Sequence, residues 1–129
     1  MFKNEPLLTG SHCLVLEDEF LIALDLQQLL ESAAAASIAC FTDADETLQA
    51  LRDGGRFDLG VLDINLGGAT RTSLSVADAL TVQKTPFVFL TGMQAEPMMT
   101  SRYPQVPILE KPYQHAEVLE AIRSVLKPG

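Results

Sequence analysis

The sequence predicts an α/β domain, a doubly wound parallel sheet of five strands held between two layers of helices. Three observations carry that prediction. Five short, almost uninterrupted apolar runs recur along the 129 residues, and segments with helical spacing alternate with them. Runs apolar on both faces belong to a parallel sheet covered above and below, because clean alternation is expected only where one face meets water. A chain of this length holds one domain and little else, and it can bury a proper core without disulfides or metals.

The elements follow in order. His12 to Leu16 is the first strand and ends in the acidic cluster Glu17-Asp18-Glu19. Phe20 to Ala34 carries Leu21, Leu24, Leu29 and Leu30 in a broad helical stripe. Ser37 to Phe41 is the second strand. Thr42-Asp43 reads as a helix cap ahead of Ala44, Leu48 and Leu51, and Gly54-Gly55 closes that helix. Asp58 to Leu62 is the third strand, with Asp63 at its carboxyl end. Gly67-Gly68 makes a loop before a helix from about Ser73 to Val82. Pro86 to Leu90 is the fourth strand, ending at Thr91-Gly92. Met93 to Tyr103 has the poorest helical pattern, interrupted by Pro97. Val106 to Leu109 is the fifth strand, and His115 to Leu126 is a final helix with Val118, Leu119, Ile122, Val125 and Leu126 apolar. The result is a three-layer αβα sandwich of flavodoxin-like type over 12–127, with 1–11 left as an N-terminal tail.

Composition narrows the function classes. Hydrophobic residues make up 47% and charged residues 20%, which suits a globular chain. A formal charge of −8 opposes duplexes and anionic membrane faces and welcomes a basic partner or a metal ion. MFKNEPLLTGS lacks the apolar core of a signal peptide, and no run approaches the length of a membrane span, so a cytoplasmic protein is expected. Cys13 and Cys40 lie inside apolar runs and read as buried, reduced thiols.

In open parallel sheets, ligands bind beyond the carboxyl ends of the strands. There the sequence places Glu17 and Asp18, then Asp63, then Thr91, then Lys111. Carboxylates crowded together repel, and a divalent cation resolves the conflict; an all-oxygen ligand set favours a hard ion such as Mg²⁺. A carboxylate can attack phosphorus and hold it as an acyl phosphate, while a cation and a hydroxyl neutralise and hydrogen-bond the transferring group. The pattern therefore suggests Asp63 as acceptor, Glu17 and Asp18 for Mg²⁺, Lys111 as cation and Thr91 as donor. Each has a plainer reading: loop cap, helix-dipole acid, exposed charge or turn hydroxyl. Glu19 has only the helix-dipole role in this reading.

LVLEDE, VLDINL, FLTG and EKPY, in that order, resemble the receiver domains of response regulators over essentially the whole chain. The spacings of 28 residues from Asp63 to Thr91 and 20 from Thr91 to Lys111 suit that family. The resemblance implies that Asp63 is phosphorylated by a histidine kinase or phosphotransfer protein. It implies a metal site of Asp18, Asp63, Glu17 through water, and the backbone carbonyl of Asn65. Thr91 would be the switch hydroxyl, Lys111 the phosphate-binding lysine, and Lys111-Pro112 a cis bond. One departure is Ile108, where such receivers usually carry a Tyr or Phe that turns inward on phosphorylation. PFVFLTGM and VPILEKPY resemble stand-alone receivers with a Phe-Ala-Thr-Gly motif, which also lack that aromatic; Leu90 stands at the motif's Ala.

The expected role is a single-domain response regulator that signals through a downstream protein or acts as a phosphate sink. It would not be an enzyme beyond its own Mg²⁺-dependent phosphorylation and dephosphorylation, and it would be a monomer or a phosphorylation-linked dimer. An unphosphorylated interaction module is the alternative. An aspartate-nucleophile phosphatase would need a second acid where Asn65 stands. Gln94 to Tyr103 is the candidate moving element. His12 and His115 read as surface histidines, Met93, Met98 and Met99 as filling, and Tyr113 as packing beneath the last helix.

Overall fold

Alternation inside the strands decides which side chains meet which helix layer. Residues i and i+2 share a face of a strand, so Cys13 and Val15 point one way while Leu14 and Leu16 point the other. Val88 and Leu90 likewise oppose Phe87 and Phe89. The computed structural model describes residues 7–66, 72–92 and 97–126. The Gly67-Gly68 loop, Met93, Gln94 and the side chains of Met98 and Met99 lie outside the described residues.

The strands are β1 His12–Leu16, β2 Ser37–Phe41, β3 Leu59–Asp63, β4 Phe87–Thr91 and β5 Ile108–Glu110. They form one parallel sheet in the order β2-β1-β3-β4-β5. The helices are α1 Phe20–Ser32, α2 Ala44–Arg52, α3 Leu74–Val82, α4 Pro97–Arg102 and α5 His115–Leu126. One core packs Leu26, Leu29 and Leu30 of α1 with Val118 and Ile122 of α5 on the first sheet face. The other packs Leu51, Val76, Ala77 and Leu80 of α2 and α3 on the second. This is the predicted flavodoxin-like sandwich. Each fully buried leucine contributes about 2 kcal/mol by leaving water.

Several boundaries differ from the sequence expectation. Helix α1 stops at Ser32 because Ala34 takes a left-handed φ of 73°, which turns the chain. Asp43 does cap α2, its carboxylate accepting from Glu46 N–H at 2.7 Å. Strands β3 and β4 run one residue further than the apolar runs, so Asp63 and Thr91 are strand residues. Strand β5 starts at Ile108: Pro107 has no N–H, but its carbonyl accepts from Phe89 N–H at 2.9 Å. The segment assigned to a tail contributes Leu8, which is fully buried among α1, β1 and α5, with its N–H donating to Ala33 O at 2.8 Å. Cys13 is buried as expected, but Cys40 is exposed, because β2 is an edge strand covered on only part of its surface. At Gly60 a Cβ would sit 2.9 Å from Leu80 Cδ1 and 3.3 Å from Phe87 Cβ, so a larger residue there would displace the buried Leu80 side chain of α3.

Candidate functional site

The strand order reverses between β1 and β3, since β1 neighbours β2 on one side and β3 on the other. A crevice opens at such a point beyond the carboxyl ends. Leu16 and Leu62 pair in register, so Glu17 and Asp63, one residue further on each strand, emerge side by side. Glu17 N–H donates to Phe41 O at 3.0 Å, which extends the β1–β2 ladder and fixes the start of the loop. Asp63 pairs with Leu90 and Thr91 with Glu110, and Lys111 N–H donates to Thr91 O at 2.8 Å. Backbone pairing thus delivers all five sequence-predicted side chains to one end of the sheet. Asn65, two residues past Asp63, forms an antiparallel bridge with Thr72 at the rim.

Carboxylate oxygens of Glu17, Asp18 and Asp63 all lie within 4.8 Å of one another. Glu17 and Asp63 are buried and Asp18 is exposed, so the cluster opens to solvent on one side. Thr91, at the end of the neighbouring strand β4, is buried. Lys111 Nζ lies 2.9 Å from Glu17 Oε1, 3.1 Å from Glu19 Oε1 and 3.2 Å from Asp63 Oδ2. Glu17 Oε1 is an ion-pair neighbour of Nζ without a well-aligned hydrogen bond, and it remains a buried oxygen lacking one. Burial pushes the Glu17 carboxyl up to about 7 against the pull of Lys111. The Asp63 carboxyl is raised too, again by burial, with Lys111 opposing. Burial would lower Lys111, but the Glu17 carboxylate 2.9 Å away, the charge of Asp63 and the hydrogen bond to Glu19 hold it above its ordinary range. The site therefore carries more negative charge than one ammonium offsets, and a divalent cation fits that imbalance.

Two features escaped the sequence reading. Glu19 stands at the N-cap of α1 with no side-chain capping bond, and its carboxylate pairs with Lys111 instead of serving the helix. Tyr103, just past α4, packs edge-on against Phe87 and Phe89, with centroids 5.5 and 6.0 Å away. Its hydroxyl donates to Asp78 Oδ1, and Arg102 bonds Asp78 Oδ2 at 3.1 Å, so the end of α4 is fastened to α3. Ile108 is half-buried in β5 against the same core. Tyr113 packs on the α1–α5 core as expected, and its hydroxyl donates to Asp25 Oδ2 at 3.0 Å. His115 Nε2 lies 3.0 Å from the same carboxylate, and His12 Nδ1 lies 2.7 Å from Ser37 Oγ. Lys111-Pro112 is cis.

An open parallel sheet with a carboxylate cluster at its switch point and a lysine across it defines the class. The chain belongs to the response regulator receiver domain family, whose model matches residues 13–123. Among curated proteins it is 31% identical over 118 residues to the phyllosphere-induced regulator PhyR of Methylorubrum extorquens. That alignment takes in 91% of this chain and 44% of PhyR, so the chain spans less than half the length of this relative. Among solved structures it resembles SdrG from Sphingomonas melonis Fr1 with a TM-score of 0.72 and 34% identity, covering 93% of this chain and 98% of that one. A response regulator receiver protein from Sinorhizobium medicae shares the fold with a TM-score of 0.78 at 23% identity, over 91% and 94% of the two chains.

Proposed function

We propose that this chain accepts a phosphoryl group on Asp63 and passes the signal on by binding a partner protein or by draining a shared kinase. The carboxylate cluster beside Lys111 is the observation that carries this reading. A histidine kinase or phosphotransfer protein is the donor. An Asp63 carboxylate oxygen attacks the phosphorus of a phosphohistidine, the new O–P bond replaces the P–N bond, and the imidazole leaves with that electron pair. Lys111 supplies positive charge to the phosphoryl oxygens, and the Thr91 hydroxyl donates to one of them.

Glu17, Asp18, Asp63 and the Asn65 carbonyl fit Mg²⁺, which when bound neutralises charge on the transferring group. The fit rests on the all-oxygen donor set, with carboxylate oxygens of three residues within 4.8 Å of one another and two of the three residues buried. Phe20 and Leu21 follow the acids directly and are 76% and 74% exposed, an apolar seat for the donor beside the acceptor. The chain acts on no other substrate in this reading. Its place is the cytoplasm, and no helix among the described residues is long and apolar enough to cross a membrane.

Intact mass after treatment with acetyl phosphate tests the proposal. One added phosphoryl group is expected with Mg²⁺, none without it, and none in Asp63→Asn. Ile108 favours an unphosphorylated interaction module as the second reading. That reading takes over if neither acetyl phosphate nor a phosphorylated histidine kinase adds mass.

A further inference from the structure

The ammonium of Lys111 has three N–H donors, and three carboxylate oxygens stand within 3.2 Å of it, from Glu17, Glu19 and Asp63. These three partners are not equivalent. Glu17 and Asp63 belong to the carboxylate cluster spaced for a cation, and Glu19 does not. Once a cation draws on Glu17 and Asp63, their hold on Nζ weakens while that of Glu19 persists. The Glu19 side chain is 61% exposed against 12% for Lys111, so water can solvate it when the pair opens. Its backbone is fixed, with its N–H donating to Glu17 Oε2 at 3.0 Å and its carbonyl accepting from Ala23 N–H at 2.9 Å. Its carboxylate makes no capping bond to α1, so the helix end does not compete for it.

We propose that Glu19 is a positioning residue that holds Lys111 away from the phosphoryl group and so sets how tightly the site binds a phosphoryl-like anion. The proposal rests on Asp63 being the phosphoacceptor. An oxygen on Asp63-bound phosphorus needs Nζ to move toward it, and the pair with Glu19, which also accepts a hydrogen bond from Nζ, is the contact that no cation on Glu17 and Asp63 releases. Glu19 therefore lowers anion affinity through a specific contact and not only through its charge.

Two substitutions separate contact from charge. Glu19→Gln keeps the length and removes the charge; Glu19→Asp keeps the charge and withdraws the carboxylate by one methylene. The full chain, saturated with Mg²⁺, is titrated with beryllofluoride as the phosphoryl mimic. Both variants are expected to bind it about fivefold tighter than the parent, the scale of one partly exposed ion pair. The Mg²⁺ affinity of Glu19→Asp without beryllofluoride should stay within about twofold of the parent, since its charge is retained. Parental affinity in Glu19→Gln would overturn the proposal. So would parental affinity in Glu19→Asp, which would reduce Glu19 to background charge. If the parent binds Mg²⁺ but no beryllofluoride, the phosphoacceptor reading itself fails and this proposal goes with it.

Discussion

Lys111→Met removes the ammonium that faces three carboxylates while keeping most of the aliphatic chain. The Glu17 side chain has no exposed surface and Asp63 has 4%, so both lose a partner they cannot replace with water. Removing one partner of a buried pair costs about 3–5 kcal/mol. The acids have an alternative, because a carboxyl can take up a proton at about 1.4 kcal/mol for each pH unit above its unfolded pKa. At pH 5 that route costs about 1 kcal/mol, and Glu17, pushed up to about 7, is already largely protonated. At pH 8 protonation costs about 5 kcal/mol, so the unpaired charge stays. The expected loss is about 1 kcal/mol at pH 5 and about 3 kcal/mol at pH 8. For a chain of this size those losses lower Tm by about 4 °C and about 12 °C. Thermal melting of both proteins at the two pH values, without divalent cations, measures this. Excess Mg²⁺ should narrow the gap at pH 8 by neutralising the same acids. Equal melting temperatures at pH 8, or the same loss at both pH values, would refute the reasoning.

Other expectations follow from single features. Leu8→Ala should cost about 3 kcal/mol in urea unfolding, the usual loss for a fully buried leucine; an unchanged midpoint would return residues 7–11 to the status of a tail. The Glu17 carboxyl is raised from 4.5 to about 7, so the stability it contributes is fully present below about 4.5 and is lost as pH rises through about 7. Asp63 shifts in the same direction. The metal-free protein should therefore lose stability over that window, and Mg²⁺, which displaces the protons, should raise Tm more at pH 8 than at pH 5.5. Tyr103→Phe keeps the ring contacts with Phe87 and Phe89 but loses the bond to Asp78, at about 1 kcal/mol in urea unfolding.

The fold was legible because its strands are apolar on both faces and α2 and α5 carry apolar stripes, both local signals; in α1 the stripe misled, since Leu21 and Leu24 are exposed while Leu26, Leu29 and Leu30 are buried. The site was legible because strand ends converge in a parallel sheet, so Glu17, Asp18, Asp63, Thr91 and Lys111 could be grouped before any distance was known. What escaped depends on tertiary placement. Leu8 follows a proline and a polar start, and only the groove between α1 and α5 makes it a core residue. Cys40 looks buried in SIACF until β2 proves to be the sheet edge. Glu19 reads as a helix-dipole acid because nothing in the sequence brings it within 3.1 Å of Lys111, 92 residues away. Tyr103 sits in a segment with poor helical periodicity, and its partners Phe87, Phe89 and Asp78 belong to other elements. Pro107 shifts β5 by removing an N–H, while its carbonyl still joins the ladder.

The identity of the acceptor is open to direct chemical reading. After treatment with acetyl phosphate and Mg²⁺, reduction with borodeuteride converts an aspartyl phosphate to deuterated homoserine, which peptide mass mapping locates. Label at Asp63 alone is the predicted result. Label at Asp18, at another residue or nowhere would contradict the assignment of Asp63 as the phosphoacceptor.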